Sequence, residues 1–375
     1  MNWVSMTAHT DAALAPLDDV RVVEICQGVV GPFCAMHLAA FGATVTKVEP
    51  PWGDWLREIP PIVDGVSALF EAVNRNKTGI RLDLAAPTAQ DKVRALIATS
   101  DVVLIDQATS RRFPLLSYEA VGRENPRVVC AEAQSASARE DLANELATEL
   151  TIQVATGVNR HLGRQGGGEV RSGFDIATLS TSMFLFSGIM AALRERETSG
   201  VGQRVSVSML AAMTAMLEWN LVSEGSPDEW TGVQLESYTA PPAVGFVLRD
   251  SVAHVEFRGD IDGWRGFLIG TGRRDLADDP RFHTSSAMAL DVADVKQQLA
   301  ETLREWDYDH LFALVSKLGG TIVPILSGAD ALGLAETNGL FDGRAGDLVD
   351  QISRPWDFSI GQLPSSHSYE ELDEH

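Results

Sequence analysis

Residues 17–51 read LDDVRVVEICQGVVGPFCAMHLAAFGATVTKVEPP. Residues 20–25, VRVVEI, are a short valine-rich apolar run, the pattern of a buried strand. Gly31-Pro32 follows, and FCAMHLAAFG then reads as an apolar helix closed by Gly42. ATVTKVE is a second strand-like run that stops at Pro50-Pro51. A strand, a helix and a strand with short connections make a parallel βαβ unit with a right-handed crossover.

The alternation continues outward. GIRLDL (79–84) resembles a strand, and residues 86–99 resemble a helix with Pro87 in its first turn, where proline is tolerated. SDVVLI is a strand, SYEAVGRENP a short helix and stop, and RVVCAE a strand again. LTIQVATGV is a helical piece within the polar, glycine-rich residues 136–172. Asp175 opens a long helix running to about Glu197, with Gly200 placed as at a helix C-terminus. Arg204 to Met216 is a strand passing into a helix. Beyond about residue 240, GFVLRDSVAHVEF suggests a hairpin, and an α+β segment follows. The acidic end, SYEELDEH, is expected to fray. The fold class is α/β: a Rossmann-like open parallel sheet in a large domain, plus a smaller α+β domain. The large domain would span residues 1–215 completed by 331–375, and the small one 216–330.

The 375-residue chain has a formal net charge of −22. Nucleic acid and anionic membrane need a basic footprint, so neither is an expected partner. An anionic ligand must be held by a local cluster of cations. Cys26, Cys34 and Cys130 are odd in number and lack metal-ligand spacing, which fits reduced thiols and a cytoplasmic location. The N-terminal residues lack the pattern of a signal peptide. The apolar stretch Met183 to Leu193 runs into Arg194-Glu195-Arg196-Glu197 and reads as a core helix. No G-x-G-x-x-G, P-loop, H-E-x-x-H or serine elbow occurs. No dinucleotide and no metal is indicated.

Asp175 stands directly before the long helix. Aspartate is a preferred N-cap, so the plain expectation is a side chain accepting first-turn amides. The same helix terminus carries partial positive charge and would keep the carboxylate ionised, hence nucleophilic. Glu149, in TELTIQ, is an ordinary exposed helix glutamate unless it shares a pocket with Asp175. Lys47, Arg75, Lys77, Arg81, Arg111 and Arg112 fall near predicted strand ends, where cations could meet phosphates.

Six segments together resemble the class III CoA-transferase family, which includes formyl-CoA transferase, carnitine CoA-transferase and α-methylacyl-CoA racemase. They are residues 17–51, NRNKTGIRLDLAAP, SDVVLIDQATSRRF with NPRVV, GFDIATLSTSMFLFSGIMAALRERETSGVGQRVSVSML, DLADDPRF and TIVPILS. The resemblance implies CoA transfer between an acyl-CoA and a carboxylic acid, with Asp175 as nucleophile and Glu149 beside it. It places coenzyme A contacts at Val29, Val30, Leu82, Asp83, Leu84, Asp106, Gln107 and Arg112, and at Leu146, Ala147 and Thr148. It also implies an interlocked homodimer. The chain departs from the family at DQATSRR, where a glycine turn is usual, and at AQSASARED, where a glycine-rich stretch is usual. The alternatives are a racemase or isomerase of CoA thioesters and a catalytically degenerate CoA-binding protein. Racemases of this family have a general-base histidine before the carboxylate; Thr148 stands there and has no basic group.

Overall fold

The structure is a computed structural model that describes residues 15–134, 148–161, 171–218, 245–257, 261–279, 297–328, 330–331, 363–364 and 366–372. The chain separates into two compact units. The first is Met1–Thr156, Phe174–Met216 and Ala335–His375; the second is Gly157–Gly173 and Leu217–Leu334.

The first unit begins β1 (Arg21–Ile25), α1 (Val30–Ala40), β2 (Thr44–Glu49), a short 3-10 turn (Trp55–Glu58), β3 (Ile62–Val63) and β4 (Val66–Ser67). It continues α2 (Ala68–Asn74), β5 (Lys77–Arg81), α3 (Pro87–Ala98), β6 (Val102–Asp106), α4 (Gln107–Arg112), α5 (Tyr118–Glu124) and β7 (Val129–Gln134). Then come α6 (Glu149–Thr156), α7 (Val158–His161, in the second unit), α8 (Ile176–Ser199), β8 (Arg204–Ser208) and α9 (Met209–Met216). In the second unit β9 (Phe246–Val247), β10 (Val252–Glu256) and β11 (Thr321–Pro324) form an antiparallel sheet. It packs on Trp264, Phe267, Leu311 and Val315.

With β12 (Glu370–Glu371) at one edge, the main sheet has seven strands in the order β12-β5-β2-β1-β6-β7-β8, all neighbours parallel. Alternation along each strand sends residues to opposite faces. Val22, Val45, Leu104 and Ala131 pack under α1 and α8, whose Leu38, Leu185 and Ile189 are buried. Val23, Val48, Val103 and Cys130 pack under α3 and α5 through Val93, Ile97 and Val121. Both faces are therefore covered, which explains strands that read as continuous apolar runs. Among the described residues α8 is the one helix long and apolar enough to cross a membrane, and half of its most apolar window is buried. It ends as expected: Gly200 takes a left-handed conformation, φ 73°, that glycine adopts without strain.

The expected fraying of the acidic end is corrected at Tyr369 to Glu371; residues 373–375 lie outside the described residues. β12 (Glu370–Glu371) pairs in parallel with β5. Tyr369 Oη donates to Glu49 Oε1 at 2.6 Å, and Arg57 Nη2 pairs with the same oxygen at 2.7 Å. A Cβ on Gly79 would lie 1.3 Å from Tyr369 Oη, so only glycine admits the ring there. Burial alone would raise the Glu49 carboxyl. Bonds from Arg57, Tyr369 and the Asp54 amide outweigh it and hold the group down to about 2. A depressed carboxylate contributes stability above its unfolded value, lost as pH falls through the folded one. Wild-type protein is therefore expected to lose about 3 kcal/mol more than Glu49→Gln between about pH 5 and pH 2. Urea unfolding midpoints across that range measure it; parallel curves for the two proteins contradict it.

One polar cluster is fully enclosed. Glu24 on β1 accepts from Lys47 Nζ of β2 at 2.9 Å and from Lys77 Nζ of β5 at 2.6 Å, and all three are 0% exposed. Burial would raise Glu24, but the two lysines outweigh it and hold the carboxyl down. Lys47 also faces Asp54 at 3.0 Å, and its two carboxylates hold its ammonium up against burial. Lys77 pairs with Glu24 as its one carboxylate among the described residues, and burial with repulsion from Lys47 brings it down to about 8.

Candidate active site

Strand order reverses between β1 and β6, and open α/β sheets bind ligands beyond the strand carboxyl ends at such a point. A cavity of about 800 Å³ lies there. Its wall takes Ile25 and Gln27 from the end of β1, Glu49 from β2, Ala133 and Gln134 from β7, and Met209 after β8. Val29, Val30, Leu82, Asp83, Leu84, Asp106, Gln107, Arg112, Thr148, Glu149 and Asp175 line the same cavity. Leu146 and Ala147 lie outside the described residues.

Several of these residues also hold the wall together. Leu82 and Leu84 are buried in the core, while Asp83 between them is exposed and accepts the Ala85 amide at 3.0 Å. Asp106 caps α4, accepting the Thr109 amide at 2.7 Å. Burial raises the Asp106 carboxyl despite that bond. Arg111 and Arg112 stand exposed in the last turn of α4, with Arg112 over the Phe113 ring.

The other cations expected to meet phosphates do not line the cavity. Lys47 and Lys77 are consumed by Glu24 inside the fold. Arg75 is 7% exposed, and Arg81 pairs with Glu371 of the terminal strand at 2.6 Å. A basic residue on a strand has the same local sequence whether its end meets solvent or a buried carboxylate, so spacing could not separate the cases.

Trp52 and Trp55 were missed. They line the cavity although 68% and 54% exposed. Two tryptophans in the short polar loop PPWGDW were the available signal, since exposed large aromatics on a loop point to a binding face.

Asp175 occupies the N-cap position of α8, but its side chain makes no capping hydrogen bond. The plain capping expectation is thus corrected. Glu149 does the capping instead, from 28 residues away: its oxygens accept the Ala177 amide at 3.0 Å and the Thr178 amide at 2.8 Å. Gln153 Nε2 donates to it at 2.7 Å. Burial would raise Glu149, but bonds from Gln153, Ala177 and Thr178 hold its carboxyl below the ordinary range. The Glu149 carboxylate thus meets the positive end of the helix. Glu149→Ala is expected to cost about 0.5–2 kcal/mol, the usual loss for a helix cap, and a thermal midpoint equal to wild type would remove this role. Thr148 in turn caps α6, its Oγ1 accepting the Thr151 amide at 3.3 Å.

Cys26, Cys34 and Cys130 are free and buried. Burial pushes all three thiols up, Cys130 to about 12, so none offers a thiolate near neutral pH. Among the described residues no group of three or more His, Cys, Asp or Glu could hold a metal ion.

A family model described as CoA-transferase family III matches residues 17–359. The succinyl-CoA:mesaconate CoA-transferase of Haloarcula hispanica is 29% identical over 279 residues, 71% of this chain and 70% of that protein. The acetyl-CoA:oxalate CoA-transferase of Acetobacter aceti is 28% identical over 339 residues, 88% of this chain and 86% of that one. A solved CaiB/BaiF family protein from Brucella suis superposes with a TM-score of 0.81 at 26% identity, covering 94% of this chain and 96% of its own.

Proposed function

This chain belongs to CoA-transferase family III, and from that premise we propose that it moves coenzyme A from an acyl-CoA thioester to a carboxylic acid through a covalent intermediate on Asp175. The observation that carries the proposal is the division of labour at α8. Glu149 accepts the first-turn amides of Ala177 and Thr178, and Asp175, at the N-cap position of the same helix, lines the cavity beside it.

In the proposed sequence an Asp175 oxygen attacks the thioester carbonyl. The C–S bond breaks, giving a mixed anhydride and CoA thiolate. The thiolate then attacks the aspartyl carbonyl and expels the donor acid as its carboxylate. The acceptor carboxylate attacks the aspartyl thioester and releases the thiolate once more. Attack of that thiolate on the acceptor acyl carbon yields the new acyl-CoA and restores Asp175. Each step exchanges one acyl bond for another, with no net proton or redox change.

The coenzyme would lie along the strand ends, with the backbone at Val29, Val30 and Leu82–Leu84 approaching it and Arg112 near its phosphates. Leu146, Ala147 and Thr148 would border the carboxylates. Gln107 and Asp106 would complete the wall after β6. Arg111 is added as a second cation, because it lines the cavity beside Arg112. The relatives' reactions suggest small dicarboxylic acids as acceptors, and succinyl-CoA with mesaconate, or acetyl-CoA with oxalate, are the first pairs to assay. The proposal extends to an interlocked homodimer and a cytoplasmic location. Prompt subunit exchange between two tagged versions would argue against the interlocking.

Calorimetric titration of CoA, followed by transfer assays and intact-mass detection of an aspartyl adduct, tests the reading. Micromolar binding, about −7 to −8 kcal/mol, with an adduct on wild-type protein is the expected result. No binding up to millimolar CoA would end it.

A further inference from the structure

The turn after β1 and the first turn of α1 that continues it are held by a set of buried polar side chains from four different places in the chain. Lys47 Nζ of β2 donates to the Cys26 carbonyl at 2.9 Å. Asp54, before the 3-10 turn, accepts the Gly28 amide at 2.9 and 3.1 Å. Ser182 Oγ of α8 donates to the Val30 carbonyl at 2.7 Å. Lys77 Nζ of β5 donates to the Pro32 carbonyl at 2.9 Å. Every second residue from 26 to 32 thus has one backbone group gripped, and each gripping residue is at most 1% exposed.

Three of the four grips come from one electrostatic network, because Lys47 and Lys77 share Glu24 and Lys47 faces Asp54. Ser182 is the exception. It alone belongs to α8, seven residues beyond Asp175, or about 10 Å along the helix axis. A serine inside a helix usually bonds back to the carbonyl four residues earlier. Here that carbonyl, of Thr178, lies at 3.0 Å, and the Val30 carbonyl is closer. The hydroxyl therefore reaches from α8 onto a turn whose Val29 and Val30 line the cavity.

We propose that Ser182 is a positioning residue: through the Val30 carbonyl it sets the place of the turn after β1 relative to the start of α8, where Asp175 stands. This rests on the transferase reading above. The turn would approach the thioester and α8 would carry the nucleophile, so the distance between them decides whether attack is in line. Displacements of about an ångström are enough to cost a large share of rate.

The test compares wild type, Ser182→Ala and Ser182→Thr in steady-state transfer and in hydrogen exchange of the peptide covering residues 26–33. In Ser182→Ala, kcat is expected to fall about tenfold while KM for the acyl-CoA stays within about twofold. Exchange in the turn should accelerate, and the retained hydroxyl of Ser182→Thr should recover most of kcat. Alanine is at least as good a helix former as serine, so the Ala variant is expected to fold and decides by itself if the threonine methyl is not accommodated. Transfer by wild type with unchanged kcat in Ser182→Ala overturns the positioning role alone. A KM rise that accounts for the whole loss also overturns it. Absence of transfer and of CoA binding by wild type overturns the transferase reading, and the positioning role falls with it.

Discussion

Asp175→Ala is expected to abolish CoA transfer, by about a thousandfold or more, while leaving the thermal midpoint within about two degrees of wild type. The two halves of this result come from different observations. Removal of a covalent nucleophile takes away the step on which the others depend, and losses of that size are usual for such groups. An aspartate that capped α8 would instead cost about 0.5–2 kcal/mol on truncation. Asp175 makes no capping bond, and Glu149 holds the amides of Ala177 and Thr178. The helix terminus therefore stays satisfied in the variant. CoA should still bind in the calorimeter, since the proposed coenzyme contacts lie on the strand ends and α4. Transfer within tenfold of wild type would remove Asp175 from the mechanism. A midpoint drop of several degrees with activity kept would return it to the role of a cap.

Glu24→Gln is expected to destabilise the protein by about 3–5 kcal/mol. Two ammonium groups share this carboxylate, and all three groups are 0% exposed. Losing its charge leaves them, among the described residues, with one counter-charge, Asp54, which faces Lys47. Lys77 then retains only neutral acceptors, the Pro32 carbonyl and Asn74 Oδ1. An uncompensated buried charge, and not a lost attraction, is the main penalty. The double variant Glu24→Gln/Lys77→Met should therefore be more stable than Glu24→Gln, because it removes the unpaired cation and keeps the Lys47–Asp54 pair. Urea unfolding of the three proteins measures both statements. A single variant within about 1 kcal/mol of wild type would mean that water enters the cluster.

The sheet was legible because its signal is local. VRVVEI, ATVTKVE and SDVVLI place valines on both faces, Val22 and Val45 under α1 and α8 and Val23, Val48 and Val103 under α3 and α5, as a sheet covered on both sides requires. The helix 86–99 and the glycine stop at Gly200 were legible for the same reason: Pro87 and a left-handed glycine are one-residue signals. The candidate cavity residues came from the resemblance to the family. Neither proximity of Glu149 to Asp175 nor the lining role of Trp52 and Trp55 follows from residue periodicity.

The sequence by itself determined the central strands and the long helix, that the sheet is open and parallel, and that a carboxylate stands at the head of that helix; α2, α4 and β12 were not legible in it. Local propensity and apolar periodicity act within a few residues and survive any rearrangement of the rest. Only the tertiary structure decided what each polar group meets. Lys77 finds Glu24 across 53 residues, Glu149 reaches the α8 amides across 28 or 29, and Tyr369 reaches Glu49 across 320. A charged side chain is compatible with solvent, with a buried partner or with a helix end. Desolvation and pairing choose among these only after the chain has closed around it.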